Sequence, residues 1–131
     1  MSDAFETNGA FSWCELLTDD VDNAKQFYSE VFDWELEDMD MPTGKYTVIK
    51  VNEKPIGGLM KKPDEAAAMG APNFWGSYVT VDDVDARVEK AKSRGAEVLV
   101  PPTDVPTVGR FSTIKDPSGA VLSLITYSQE D

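Results

Sequence analysis

The sequence predicts an α+β protein built from two tandem βαβββ modules, whose curved mixed sheets are backed by helices. Three observations predict it. First, the chain repeats itself. Asp19-Asp20-Val21-Asp22 recurs unchanged as Asp82-Asp83-Val84-Asp85, 63 residues later. Gly44-Lys45-Tyr46-Thr47-Val48-Ile49-Lys50 aligns with Gly109-Arg110-Phe111-Ser112-Thr113-Ile114-Lys115 at an offset of 65, with six of seven positions identical or chemically similar. Two matches in the same order at nearly the same offset are the mark of an internal duplication. Second, each half reads in the same order: strand, helix, three strands. Third, 131 residues is the size of one ordinary domain. The expectation is therefore a single domain, with module one at about 9–62, a linker at about 63–72 and module two at about 73–128.

The elements follow in order. Phe11 to Thr18 is an extended apolar stretch with Phe11, Trp13, Glu15 and Leu17 on one face and Ser12, Cys14 and Leu16 on the other. Asp19 or Asp20 caps a helix running to about Phe32, and Val21, Ala24, Phe27, Tyr28, Val31 and Phe32 fall on one stripe, predicted to be core. Trp34 to Met39, Tyr46 to Val51 and Pro55 to Lys61 read as strands, separated by turns at Pro42-Thr43-Gly44 and Asn52-Glu53-Lys54. The connector from Pro63 to Pro72 has room for a short helical turn. The second half gives a strand Phe74 to Val81, a helix from about Val84 to Ser93 ended by Gly95, and a strand Glu97 to Val100. A proline-bearing loop follows, then strand Arg110 to Ile114, the Asp116-Pro117-Ser118-Gly119 turn and strand Val121 to Tyr127.

Composition narrows the function. The net charge of -12 repels phosphate backbones and anionic lipid heads, so neither nucleic acid nor a membrane surface is an expected partner. No apolar run approaches the roughly 18 residues that span a bilayer. With no histidine, the Ser-His-Asp triad, the Cys-His dyad and every metal site that needs imidazole are excluded. Chemistry here must run on carboxylates, Tyr, Lys, Arg, Cys or Ser. The lone Cys14 cannot form an intramolecular disulfide and reads as a buried apolar filler. The first residues carry no signal-peptide pattern, and a cytoplasmic location is expected.

Several segments carry a family resemblance. The two βαβββ modules, the Phe27-Tyr28 pair in an acid-capped helix, the Val81-Asp82-Asp83 entry to the second helix and the Asp116-Pro117-Ser118-Gly119 turn before an apolar strand resemble the vicinal-oxygen-chelate superfamily. That superfamily contains glyoxalase I, extradiol dioxygenases and bleomycin-resistance proteins. The resemblance covers Phe11 to Tyr127. More narrowly, Trp13-Cys14-Glu15-Leu16 with Thr18, Pro55-Ile56-Gly57-Gly58, Val100-Pro101-Pro102-Thr103 and Gly109-Arg110-Phe111 are similar to small glyoxalase-like proteins. It implies a cupped cavity, a homodimer and, in metal-using members, four ligands from the first and last strands of the modules. Carried onto this chain, those positions are Trp13, Gly58, Gly76 and Ser123. Trp and Gly side chains offer no lone pair and a neutral Ser is a weak ligand, so no metal and no cofactor are expected.

Strand alternation then nominates a lining of Trp13, Glu15 and Tyr78. A hairpin register set by the Asp116 to Gly119 turn makes Ser112 face Ser123 and Arg110 face Ile125; in the first half Thr47 faces Gly58 and Lys45 faces Met60. Glu15, costly if buried unpaired, meets either Arg110 or a water-filled site. Trp13 and Trp75 either stack on a planar ligand or belong to the core. Arg110 either holds an anionic group or bridges to Glu15. Tyr78 donates a hydrogen bond or a proton. Three readings result: a metal-free protein binding a small molecule through Trp13, Glu15, Trp75, Tyr78, Arg110, Ser112 and Ser123; a metal-independent lyase or isomerase with Glu15 as general acid or base assisted by Tyr78; and a non-catalytic dimerisation module.

Overall fold

The computed structural model describes residues 3–41, 44–68 and 70–128; of the predicted Pro42-Thr43-Gly44 turn, Pro42 and Thr43 lie outside them. The element order is β1 (Phe11–Thr18), α1 (Val21–Phe32), β2 (Glu35–Met41), β3 (Gly44–Val51), β4 (Lys54–Lys61), α2 (Asp64–Ala68), β5 (Phe74–Thr80), α3 (Val84–Ser93), β6 (Glu97–Val105), β7 (Gly109–Lys115) and β8 (Val121–Tyr127). The α+β class and the repeated βαβββ order are as the sequence predicts.

The chain forms two compact units, one of Trp13–Gly76 and one joining the segment up to Ser12 with everything from Ser77 onward. In the first unit the strand order is β2-β3-β4-β1, with β1 parallel to β4 and the other pairs antiparallel. In the second it is β5-β8-β7-β6, with β5 parallel to β8. The shared plan follows from the shared sequence: a helix returns the chain so that the module's first strand lies parallel to its last. Each unit has its own core. Leu16, Ala24, Ile49 and Leu59 form one, joined by Tyr28, Trp34 and Leu36. Val81, Val84, Val88, Ile114 and Leu124 form the other.

Both helices start as predicted. The Asp20 carboxylate accepts from Asn23 N at 3.1 Å and the Asp83 carboxylate from Ala86 N at 3.1 Å, so each cap satisfies an amide that the first turn leaves open. The segment before β1 is tied to the second unit: Gly9 N donates to the Thr80 carbonyl, Thr80 N to the Ala10 carbonyl, and Thr80 Oγ1 to the Ala4 carbonyl at 2.6 Å.

Four expectations are corrected. The α1 stripe is not core throughout: only Ala24 is buried, while Phe27, Val31 and Phe32 are 54%, 52% and 54% exposed. Cys14 is exposed rather than a buried filler. The loop expected after Val100 is a continuation of β6 to Val105, with register shifts across Val98 to Thr103 that accommodate Pro101 and Pro102. Among the described residues β6 is the edge strand, and its ladder to β7 skips Pro101 and Pro102, the edge-and-bulge setting in which a strand tolerates proline. Finally, both hairpins are offset by one residue from the expected register. Ser123 pairs with Thr113 and Gly58 with Val48, so Ser112 and Thr47 lie on the helix-packed face. A one-residue slip exchanges the two faces of a strand.

Candidate functional site

The register fixes the site. Glu15 pairs with Gly58 across the β1/β4 ladder, and Tyr78 pairs with Ser123 across β5/β8. The two matches are equivalent under the sequence repeat, so they mark the same place in each module.

In the first unit, Gly58 leaves room that a side chain of β3 fills. A Cβ on Gly58 would run into the phenol of Tyr46. The Trp13 indole Nε1 donates to Tyr46 Oη at 2.9 Å, and Tyr46 Oη donates to Glu15 Oε2 at 2.7 Å. Chemistry sets this direction: an indole only donates, so the phenol oxygen accepts there and its single proton goes to the carboxylate. All three side chains are partly buried, which strengthens a charge-assisted bond relative to water. Backbone spacing is tight here too, since a Cβ on neighbouring Gly57 would overlap the Cys14 carbonyl.

The equivalent positions of the second unit hold Phe111 for Tyr46, Tyr78 for Glu15 and Ser123 for Gly58. Tyr78 and Phe111 rings lie 6.2 Å apart at 59°. Ser123 Oγ shares a 2.7 Å hydrogen bond with Thr113 Oγ1. This half carries no carboxylate at the matching place.

The remaining nominated residues sit elsewhere. Arg110, expected to meet Glu15, is held by Asp85 at 3.1 Å and Asp104 at 3.0 Å. Asp85 first and Asp104 second raise its pKa. Ser112 is fully buried and donates to the Val100 carbonyl at 2.7 Å. Trp75 packs against α1, its Nε1 donating to Tyr28 Oη at 3.2 Å and its ring standing edge-on to Tyr28 and Trp34. Sequence reasoning missed Tyr46 because the off-by-one register put Lys45 and Thr47 on its face. The available signal was the repeat itself, which matches Tyr46 with Phe111, an aromatic at the same strand position in both halves.

The metal positions implied by the resemblance do not fit a divalent ion. Tyr46 occupies the space beside Gly58, Ser123 is bonded to Thr113, and neither Trp13 nor Gly76 has a ligating atom. Among the described residues no three Cys, Asp or Glu side chains lie together as a metal-binding group.

The repeated fold and this strand-end site define a class, and direct comparison agrees: residues 10–124 match the family model of the Glyoxalase/Bleomycin resistance protein/Dioxygenase superfamily. The chain belongs to that superfamily. It is 40% identical over 118 residues to "Putative glyoxylase CFP32" of Mycobacterium bovis, covering 89% of this chain and 44% of that protein. It is 28% identical over 127 residues to "Anthracycline biosynthesis protein DnrV" of Streptomyces peucetius, covering 88% of this chain and 46% of that one. The chain thus spans less than half the length of these relatives. Among solved structures it resembles the hypothetical protein BH1468 of Bacillus halodurans at a TM-score of 0.72 and 11% identity, covering 95% and 99% of the two chains. It also resembles a methylmalonyl-CoA epimerase of Streptomyces coelicolor at 0.64 and 17%, covering 93% and 99%. At these identities the likeness concerns the fold.

Proposed function

We propose that this chain is a metal-free member of the superfamily that binds a small organic molecule on the face of the first module carrying Trp13, Tyr46 and Glu15. The observation that carries the reading is the Trp13–Tyr46–Glu15 hydrogen-bond chain beside Gly58. It supplies two aromatic faces and one carboxylate in a protein of net charge -12. Such a surface suits a planar or cationic ligand through stacking, cation–π contact and charge. Tyr78 and Ser123 belong to the same reading as the matching pair of the second module. Pairing into a homodimer is part of it, resting on the resemblance, and so is a cytoplasmic location, which a chain with a single cysteine and no intramolecular disulfide suits; among the described residues no helix is long and apolar enough to cross a membrane.

A second reading is favoured by one distance. The 2.7 Å bond from Tyr46 Oη to Glu15 Oε2 couples a carboxylate base to a phenolic acid, the pair a metal-independent lyase or isomerase needs to move a proton beside a carbonyl.

The test uses benzyltrimethylammonium as probe and the indole N–H signals of Trp13, Trp34 and Trp75 as reporters in a proton–nitrogen correlation spectrum. A saturable shift of the Trp13 signal, lost in Glu15→Gln, is expected. A Trp13 signal that stays fixed, or a shift unchanged by Glu15→Gln, refutes the binding reading. Thermal melts with divalent metal at stoichiometric concentration are expected to show no stabilisation.

A further inference from the structure

The two helices of the repeat match position by position, and their exposed ends differ in kind. At the 63-residue offset Phe27 matches Lys90 and Val31 matches Arg94. The last turn of α3 carries Lys90 and Lys92, the charge that suits the negative end of a helix dipole. The last turn of α1 has no basic residue and holds Glu30, and its C-cap is Asp33 in the left-handed region at φ 59. Among the described residues neither Glu30 nor Asp33 forms an ion pair, and Lys25 is engaged by Asp38. Beside this acidic end, Phe27, Val31 and Phe32 are each more than half exposed.

A stack of rings stiffens the patch from behind. Tyr28 stacks on Phe32 at 6.1 Å and on Trp34 at 5.8 Å, while Phe32 and Trp34 lie 5.0 Å apart. Trp75, also exposed, stands edge-on to Tyr28 at 5.3 Å. Apolar exposure, a carboxylate at a helix C-terminus and a non-glycine residue at positive φ each disfavour the isolated unit. Such local conflicts mark functional surfaces when they coincide. One occupant resolves the apolar and the electrostatic conflicts together.

We propose that the C-terminal end of α1 is a docking surface for a basic amphipathic segment of a partner protein. The segment seats apolar side chains on Phe27, Val31 and Phe32 and places a Lys or Arg against Glu30 and Asp33, where the helix dipole adds to the attraction. Charge complementarity selects this occupant over a second copy of the chain, which would bring the same two carboxylates and a further net charge of -12 to the contact.

The experiment titrates the full chain with two synthetic helical peptides of equal length, one Leu/Lys and one Leu/Glu, following heat of binding and the Trp indole signals. The Leu/Lys peptide is expected to bind at least about tenfold more tightly than the Leu/Glu peptide, moving Trp34 and Trp75. Phe27→Ser with Val31→Ser, which leaves the charge unchanged and alters only exposed positions, is expected to weaken it at least about tenfold. Glu30→Gln with Asp33→Asn is expected to weaken it as well, Asn tolerating the left-handed cap. Equal binding of the two peptides overturns the proposal. So does full affinity in the Phe27→Ser/Val31→Ser protein, which would mean that overall charge alone draws the peptide. A dimer in sedimentation that this same variant dissolves overturns it too, since the occupant would then be a second copy.

Discussion

One strand-end position is built twice in this chain and finished differently each time. In the first module Glu15 faces Gly58, and the room left by the missing side chain is taken by the Tyr46 phenol reaching over from β3. In the second, Tyr78 faces Ser123, whose hydroxyl is satisfied locally by Thr113. The backbone register is the same, so the difference lies in side chains alone. It teaches that duplication fixed the geometry while differences at four positions, Trp13 against Gly76, Glu15 against Tyr78, Tyr46 against Phe111 and Gly58 against Ser123, left a polar chain ending in a carboxylate on only one side.

The largest expected effect comes from restoring a side chain where the first module dispenses with one. In Gly58→Ala the new Cβ overlaps the Tyr46 ring, which must swing out and give up its bonds to Trp13 and Glu15. A cost of about 1–3 kcal/mol is expected from urea denaturation. Gly76→Ala is the control, because its Cβ would meet only the Phe74 ring at 3.5 Å and the Glu15 carbonyl oxygen at 3.9 Å, ordinary contact distances. It is expected to stay within about 0.5 kcal/mol of the parent. Equal losses at the two glycines would break the contrast.

Next in size is Tyr46→Phe, which keeps the ring over Gly58 but removes the hydroxyl between an indole donor and a carboxylate. Loss of about 1 kcal/mol is expected, together with a changed Trp13 indole N–H shift, whereas Trp34 and Trp75 signals stay in place. Movement of all three would point to a general repacking rather than a broken chain.

How much of this was legible in the sequence depends on which physical rule carried it. The fold followed from the repeat, from an acidic cap at Asp19 or Asp20, from the helix end at Gly95 and from the turn residues. The faces of β3 and β7 were not legible, because a hairpin's register depends on its turn geometry and an error of one residue exchanges Tyr46 with Lys45 and Thr113 with Ser112. The repeat made Tyr78 the counterpart of Glu15 and Ser123 that of Gly58, but that Glu15 lies beside Gly58 and Tyr78 beside Ser123 is a register between parallel strands, which only the structure supplies. The α1 stripe misled for another reason: periodicity says which residues share a face, not whether anything covers it. Arg110 went to Asp85 and Asp104 rather than to Glu15, a pairing between elements that no sequence spacing encodes.

A smaller effect is expected at the second module's version of the site. Ser123→Ala leaves the Thr113 hydroxyl without its partner, at a cost of about 0.5–1 kcal/mol, and the Thr113→Val/Ser123→Ala double variant should recover part of it. If the double variant instead costs the sum of the single changes, the two hydroxyls are not coupled, and Ser123 is no longer simply the locally satisfied counterpart of Gly58.

The smallest effect separates the tyrosines by their hydrogen-bond partners. Tyr46 donates to a carboxylate, whereas Tyr127 shares a 2.7 Å bond with the Ser12 hydroxyl and makes an edge-type contact with the Phe5 ring, centroids 4.8 Å apart. Burial raises the Tyr127 pKa above its ordinary 10.0, with the Ser12 hydrogen bond pulling weakly the other way. A raised folded-state value means that the native state holds the proton more tightly than the unfolded chain. The stability this contributes is therefore fully present below the unfolded value and is lost as pH rises through the folded one. Urea midpoints measured in steps through this alkaline window should fall less steeply for Tyr127→Phe than for the parent. Coincident slopes would assign the alkaline loss to other groups and leave the Ser12–Tyr127 pair without a role in it.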